Sequence, residues 1–216
     1  MAIAFDAAAQ GSSTVTTVTF AQTCTGSNLV LFVEAYSTTG DDVTGITYNS
    51  VAMTQLAKIS KNGSAEKLYL YYLIAPATGS NNVVVTRSGT GGFLHGAAAS
   101  FTGALQSGIP DSTNQAAQTV AATSQIIATT TVLDNCWLVG AWVCDNGGIS
   151  GQSGTVVRAG DTTFDVLASG EAAVTPAGSA SLAVNCNNTK SAGIVASFAP
   201  VLDTANHSSL LLMGVG

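Results

Sequence analysis

The sequence predicts an all-β protein: an antiparallel, jelly-roll-like β-sandwich built from two similar halves. Three observations carry that expectation. Apolar segments of strand length alternate along the chain and end at Gly, Pro or Asn; no segment keeps a 3.6-residue apolar period over three turns; and one set of landmarks recurs in the same order later in the chain. The clearest single stretch is Lys67 to Ser100. Leu68, Leu70 and Tyr72 alternate with Tyr69, Tyr71 and Leu73, so both faces of an extended segment carry bulky groups, and Pro76 and Gly79 then break it ahead of the β-branched run Val83-Val84-Val85.

Taken in order, residues 1–12 are Ala-rich and close on Gly11-Ser12, reading as an N-terminal arm or short edge strand. From Ser13 to Phe20, Val15, Thr17 and Thr19 alternate with Thr14, Thr16 and Val18, a strand of high β-propensity. Asn28 to Ser37 is apolar on both faces and should be central. Gly40-Asp41-Asp42 turns the chain, Val43 to Ile59 supplies one or two further strands, and Lys61-Asn62-Gly63-Ser64 is a hairpin signal, because Asn-Gly populates the positive-φ positions of tight turns. After Phe101, residues 104–123 read as a long connection or a surface strand.

The second half echoes the first. Asn135 to Cys144 repeats the character of Asn28 to Tyr36, Pro176 to Val184 follows the plan of Pro76 to Val85, and Gly193-Ile-Val-Ala-Ser-Phe198 matches Gly96-Ala-Ala-Ala-Ser-Phe101. With about four strands read in each half, neither closes a core alone, so the expected arrangement is a single sandwich over residues 13–202, with halves of about 13–105 and 124–202. Two tandem small sandwiches are the alternative. Residues 203–216 form a C-terminal tail whose Leu210, Leu211, Leu212 and Met213 should not hang in water; with Ile3 and Phe5 they are the candidate assembly contacts.

Composition excludes several classes. Only 8% of the 216 residues are charged, and 12 acidic against 6 basic residues give a net charge of −6, with no basic patch for nucleic acid. So few charges on a hydropathic chain point to a surface covered by neighbours in an assembly. No apolar run reaches the ~18 residues of a membrane span. Met1-Ala-Ile-Ala-Phe-Asp6 lacks the basic, then apolar, plan of a secretory signal, so the expectation is either that the chain is made and used without Sec export or that a signal has been trimmed.

Chemistry-bearing residues are sparse. Cys24, Cys136, Cys144 and Cys186 have no zinc-site spacing; Cys136 and Cys144 lie on one strand, about 26 Å apart at the strand rise, and cannot pair, whereas a Cys144–Cys186 bridge remains open beside four buried thiols. His95 reads as a loop or strand-edge residue, and His207 sits in the polar part of the tail. Glu34 stands in an otherwise apolar strand, where a buried acid needs a partner and has its pKa raised. Asp41-Asp42, Asp145-Asn146 and Asp161 to Asp165 read as turn formers rather than calcium ligands, and Arg87 and Arg158 as makers of intramolecular ion pairs or subunit contacts. Trp137 and Trp142 have opposite parity, so at most one faces outward as a sugar platform. The sequons at Asn62, Asn187 and Asn206 read as coincidental. No catalytic, metal or cofactor residues are expected.

Ile46-Thr-Tyr-Asn-Ser-Val-Ala-Met-Thr54, Leu70 to Thr86 and Ala98-Ala-Ser-Phe-Thr-Gly-Ala-Leu105 resemble β-sandwich modules among the structural proteins of tailed bacteriophages and related bacterial surface proteins. The resemblance implies a non-enzymatic virion component of capsid-decoration or head-fibre type. It would form homo-oligomers and dock on other virion proteins such as the major capsid protein, with no nucleic acid, membrane or cofactor involved. A lectin-like carbohydrate-binding module is the alternative function, and a hydrolase using Glu34 the third.

Overall fold

A computed structural model describes residues 1–61, 63–144 and 147–202. Its first nine strands are β1 (Ala4–Ser13), β2 (Thr17–Cys24), β3 (Val30–Ser37), β4 (Val43–Tyr48), β5 (Val51–Ala52), β6 (Thr54–Ser60), β7 (Lys67–Ile74), β8 (Gly79–Arg87) and β9 (Leu94–Thr102). Eight more follow: β10 (Ser112–Ala117), β11 (Ala122–Thr130), β12 (Trp137–Cys144), β13 (Ser150–Gly151), β14 (Thr155–Ala159), β15 (Asp165–Gly170), β16 (Ser179–Thr189) and β17 (Ser191–Phe198). The all-β expectation holds, and the paired strands are antiparallel.

The strand orders are β1-β9-β3-β7-β6 and β2-β8-β4-β5 in the first half, and β10-β17-β12-β15-β14 and β11-β16-β13 in the second. If β5 and β6 count as one strand that changes sheets, each half has the order 1-8-3-6 facing 2-7-4, the two interlocked Greek keys of a jelly roll. The expected single sandwich is therefore corrected: each half is a jelly roll with its own core, and the two stand in tandem. The physical reason is strand number. Residues 104–123 hold β10 and the start of β11 rather than a bare connection, and residues 155–170 hold β14 and β15, so each half has enough strands to build two sheets. Of the two readings of residues 1–12, arm or edge strand, the arm is corrected and the edge strand holds: β1 runs beside β9 from Ala4 opposite Thr102 to Ser13 opposite Leu94 and forms the edge of the sheet.

Period-two alternation distributes the side chains over three apolar layers. In β3, Leu31, Val33 and Ala35 point into the first jelly roll, where they meet Val18, Phe20, Ile46, Tyr48, Val83 and Val85. The second jelly roll packs Ile127, Leu138, Trp142, Val166, Leu182, Val184 and Val195 between its sheets, around a Cys144–Cys186 disulfide with a Cα separation of 6.2 Å. The bridge left open by the sequence thus forms, while Cys24 and Cys136 are free and buried.

The third layer lies between the halves. The two five-stranded sheets present their outer faces to each other, and Val30, Phe32, Leu68, Leu70 and Phe101 meet Val139, Leu167, Ile194 and Phe198 in one continuous core, the seam. The Phe101 and Phe198 ring centroids are 5.2 Å apart. Since these residues are counterparts, and β1 lies against β14 as β6 lies against β10, the halves are related by an approximate twofold axis through the seam.

Candidate functional site

Three ionisable residues in the seam converge at one end of it. β3 carries Glu34 on the face that also bears Val30 and Phe32, and β9 sets His95 opposite Tyr36, two residues further along that face. Asp165 opens β15 of the second jelly roll. All three side chains are buried. The imidazole Nδ1 stands 3.2 Å from Glu34 Oε1 and makes a shorter contact with Asp165 Oδ2, so one ring nitrogen donates to a carboxyl group from each half.

Electrostatics fix the protonation of this cluster. Burial and the nearby Asp165 hold the Glu34 carboxyl well above the usual carboxylate range, toward its neutral form. Burial alone would lower the His95 pKa, but its hydrogen bonds to Asp165 and Glu34 outweigh that and push it up to about 10. His95 is therefore an imidazolium at neutral pH. Glu34 Oε2 and Asp165 Oδ1 are buried without a hydrogen-bond partner among the described residues, and hydrogen bonding to Asp165 adds to the bias of Glu34 toward its neutral form.

The same three residues are a candidate cation cluster, with one ligand atom from each within 4.8 Å of the others. To ligate an ion through Nδ1, His95 would have to give up the proton it shares with the two carboxyl groups. From outside, a hollow of about 400 Å³ lined by Gln10, Ser12, Asp161 and Thr162 reaches His95. Its rim is tied across the seam by the Gly160 N–H, which donates to Gln10 Oε1 at 2.5 Å. Ser12 is the cross-strand neighbour of His95.

Glu34 is thus buried and partnered, as its setting in the sequence required. His95 is not a loop or edge residue; it lies inside β9 and bridges the halves. Asp165, read as part of a turn, is the missing partner. The signal for it was an acid directly ahead of the apolar run Val166-Leu167-Ala168, in a strand too short to stand out.

The other candidates are engaged elsewhere. Ile3 is buried in the seam core, whereas Phe5 is 37% exposed, packed edge-on against Phe101 with the Arg158 guanidinium 4.3 Å from its centroid. Leu210, Leu211, Leu212, Met213, His207, Asn206, Asn62 and Asp145-Asn146 lie outside the described residues. Asp41 pairs with Lys58 and accepts from the Tyr69 hydroxyl, Asp42 accepts from Thr39 Oγ1, and Asp161 accepts from the Thr163 N–H, as turn acids do. Arg87 is spent on the Val15 and Thr14 carbonyls and Thr39 Oγ1. Trp137 and Trp142 are both buried, at 9% and 0% exposure, so neither forms the outward sugar platform that at most one of them could have supplied.

No family model matches this chain, and no curated protein matches it. Among solved structures, the ANX2 ectodomain of Arabidopsis thaliana is 7% identical with a TM-score of 0.29, covering 89% of this chain and 83% of that one. The ANXUR2 extracellular domain of the same plant is 6% identical with a TM-score of 0.27, covering 90% and 84%. At those TM-scores the likeness carries no argument.

Proposed function

We propose that this protein is a non-enzymatic structural component that assembles with copies of itself and with companion proteins on a particle surface. The kind of particle is the one the sequence resemblance implies, a tailed-phage virion. One observation carries the reading: the convergent acids and histidine are buried between two jelly rolls, where the imidazole meets a carboxyl group from each half and acts as a tie. Glu34 and Asp165 have no exposed surface, and His95, although a hollow reaches it, spends Nδ1 on their carboxyl groups and is raised toward the imidazolium form, a poor general base near neutral pH. A rigid tandem of jelly rolls with few ionic groups suits a subunit held by its neighbours.

The disulfide adds a condition. Such bridges persist outside reducing cytosol, so assembly into a released particle, after synthesis in the host, accounts for Cys144–Cys186. The test is native mass together with particle occupancy: purified protein is expected to form a defined oligomer and to bind particles that lack it. A monomer at every concentration, leaving such particles bare, defeats the reading, as would turnover of a glycoside abolished by Glu34→Gln.

A further inference from the structure

At the end of the seam where the chain enters and Leu202 leaves it, the fold encloses a groove of about 690 Å³. Its walls are Met1, Ile3, Val132, Leu133 and Leu202, with Trp137 beside them. Met1, Val132 and Leu202 are among the most exposed large apolar side chains described, at 55%, 57% and 57%. Such side chains gathered around one concavity mark a place where something apolar binds.

The chain itself contains a matching ligand. We propose that the groove receives Leu210-Leu211-Leu212-Met213 of a second copy of this chain, an inference that rests on the assembly reading above. Leucine and methionine side chains are flexible enough to fill an irregular apolar site. The residues from Thr204 to Gly216 carry no Asp, Glu, Lys or Arg, so seating this segment buries no formal side-chain charge apart from any on His207. The intervening residues 203–209 are Asp-Thr-Ala-Asn-His-Ser-Ser, a polar spacer that spans up to about 25 Å when extended. It departs from Leu202 on the groove's own wall, and its length is enough to reach the groove of a second copy seated against the same end of the seam. Because every copy carries both segment and groove, a reciprocal exchange closes a symmetric pair.

Three forms of the full chain test this by sedimentation: the native sequence, a chain ending at Ser209, and Val132→Lys, which puts a charge on the exposed groove wall. The native protein is expected to dimerise, each variant alone to dimerise at least tenfold more weakly, and an equimolar mixture of the two variants to recover a heterodimer, since one offers an intact groove and the other an intact segment. Dimers that persist undiminished in both variants overturn the groove while leaving the assembly reading intact. A mixture that stays monomeric also overturns it. A native monomer overturns both readings, and if truncation then shifts Trp137 emission to the red, the chain's own segment is the occupant.

Discussion

Glu34 and His95 face Asp165 at one end of the seam; by strand register their counterparts at the other end are Ala141, Ala192 and Leu68. The same packing problem is thus solved twice, once with charge and once with carbon. Buried ion pairs contribute little over well-packed apolar groups, yet losing one partner strands the rest. Asp165→Ala is expected to cost about 3–5 kcal/mol in urea unfolding, whereas replacing the cluster by its counterparts, Glu34→Ala with His95→Ala and Asp165→Leu, should recover most of that loss. Equal destabilisation of both variants would show that the polar cluster has no apolar substitute. The cluster also sets a pH dependence. His95 has its folded pKa raised to about 10, so the native state holds a proton that the unfolded state releases above about pH 6.5. Its stabilisation is complete below pH 6.5 and is lost as pH rises toward 10, at no more than about 1.4 kcal/mol per pH unit. Glu34, also raised, adds a fall in the same direction that starts near its ordinary carboxyl pKa. Unfolding free energies from pH 6.5 to 9 should therefore decline more steeply in the native protein than in His95→Gln; parallel slopes would reject the imidazolium.

The repeated Gly-x-x-x-Ser-Phe landmark shows what an element encodes. Gly193 leaves room for Trp142, since a Cβ there would stand 2.6 Å from the indole, and Gly96 gives the same clearance to Val85 and Phe20. Ser100 and Ser197 donate to Asp6 and Asp111 at 2.7 Å and 2.6 Å, tying each sheet's edge, and the two phenylalanines fill the seam. These features were legible because each is a fixed residue at a fixed spacing within a strongly alternating strand. The strands of residues 155–170 were not. Thr-Val-Val-Arg-Ala and Asp-Val-Leu-Ala-Ser-Gly are short and rich in small residues, and their apolar pattern is interrupted by Arg158 and headed by Asp165. The charge of Asp165 makes sense only once His95, 70 positions upstream, closes on it. Missing those strands left the second half too short of strands for two sheets of its own and turned two sandwiches into one. The disulfide belongs to this scale too, because it fastens β12 of one sheet to β16 of the other across 42 residues. The loop-entropy argument gives it about 4 kcal/mol, so Cys186→Ser should lower the urea midpoint of the second jelly roll, and dithiothreitol should do the same to the native protein but leave the variant unchanged.

For the molecule as a whole, the seam decides whether a jelly roll can exist alone. Each half has an inner core, yet each also turns a fully apolar sheet face toward its partner: Val30, Phe32, Leu68, Leu70 and Phe101 on one side, Val139, Leu167, Ile194 and Phe198 on the other. A face of that size does not remain in water. Residues 1–106 expressed alone are therefore expected to self-associate, using the approximate twofold axis to place a second copy where residues 107–202 belong. That homodimer repeats the error at both ends of its seam, since Glu34 and His95 of each copy would then meet Leu68 instead of Asp165, leaving the histidine without the carboxylate that holds its proton. Residues 107–202 added in trans should displace it in favour of a heterodimer, visible as a mass change by native mass spectrometry and weakened selectively by Asp165→Ala. A well-behaved monomer of residues 1–106, unaffected by the other half, would mean that the seam is a contact between finished domains and that the chain's two jelly rolls do not depend on each other.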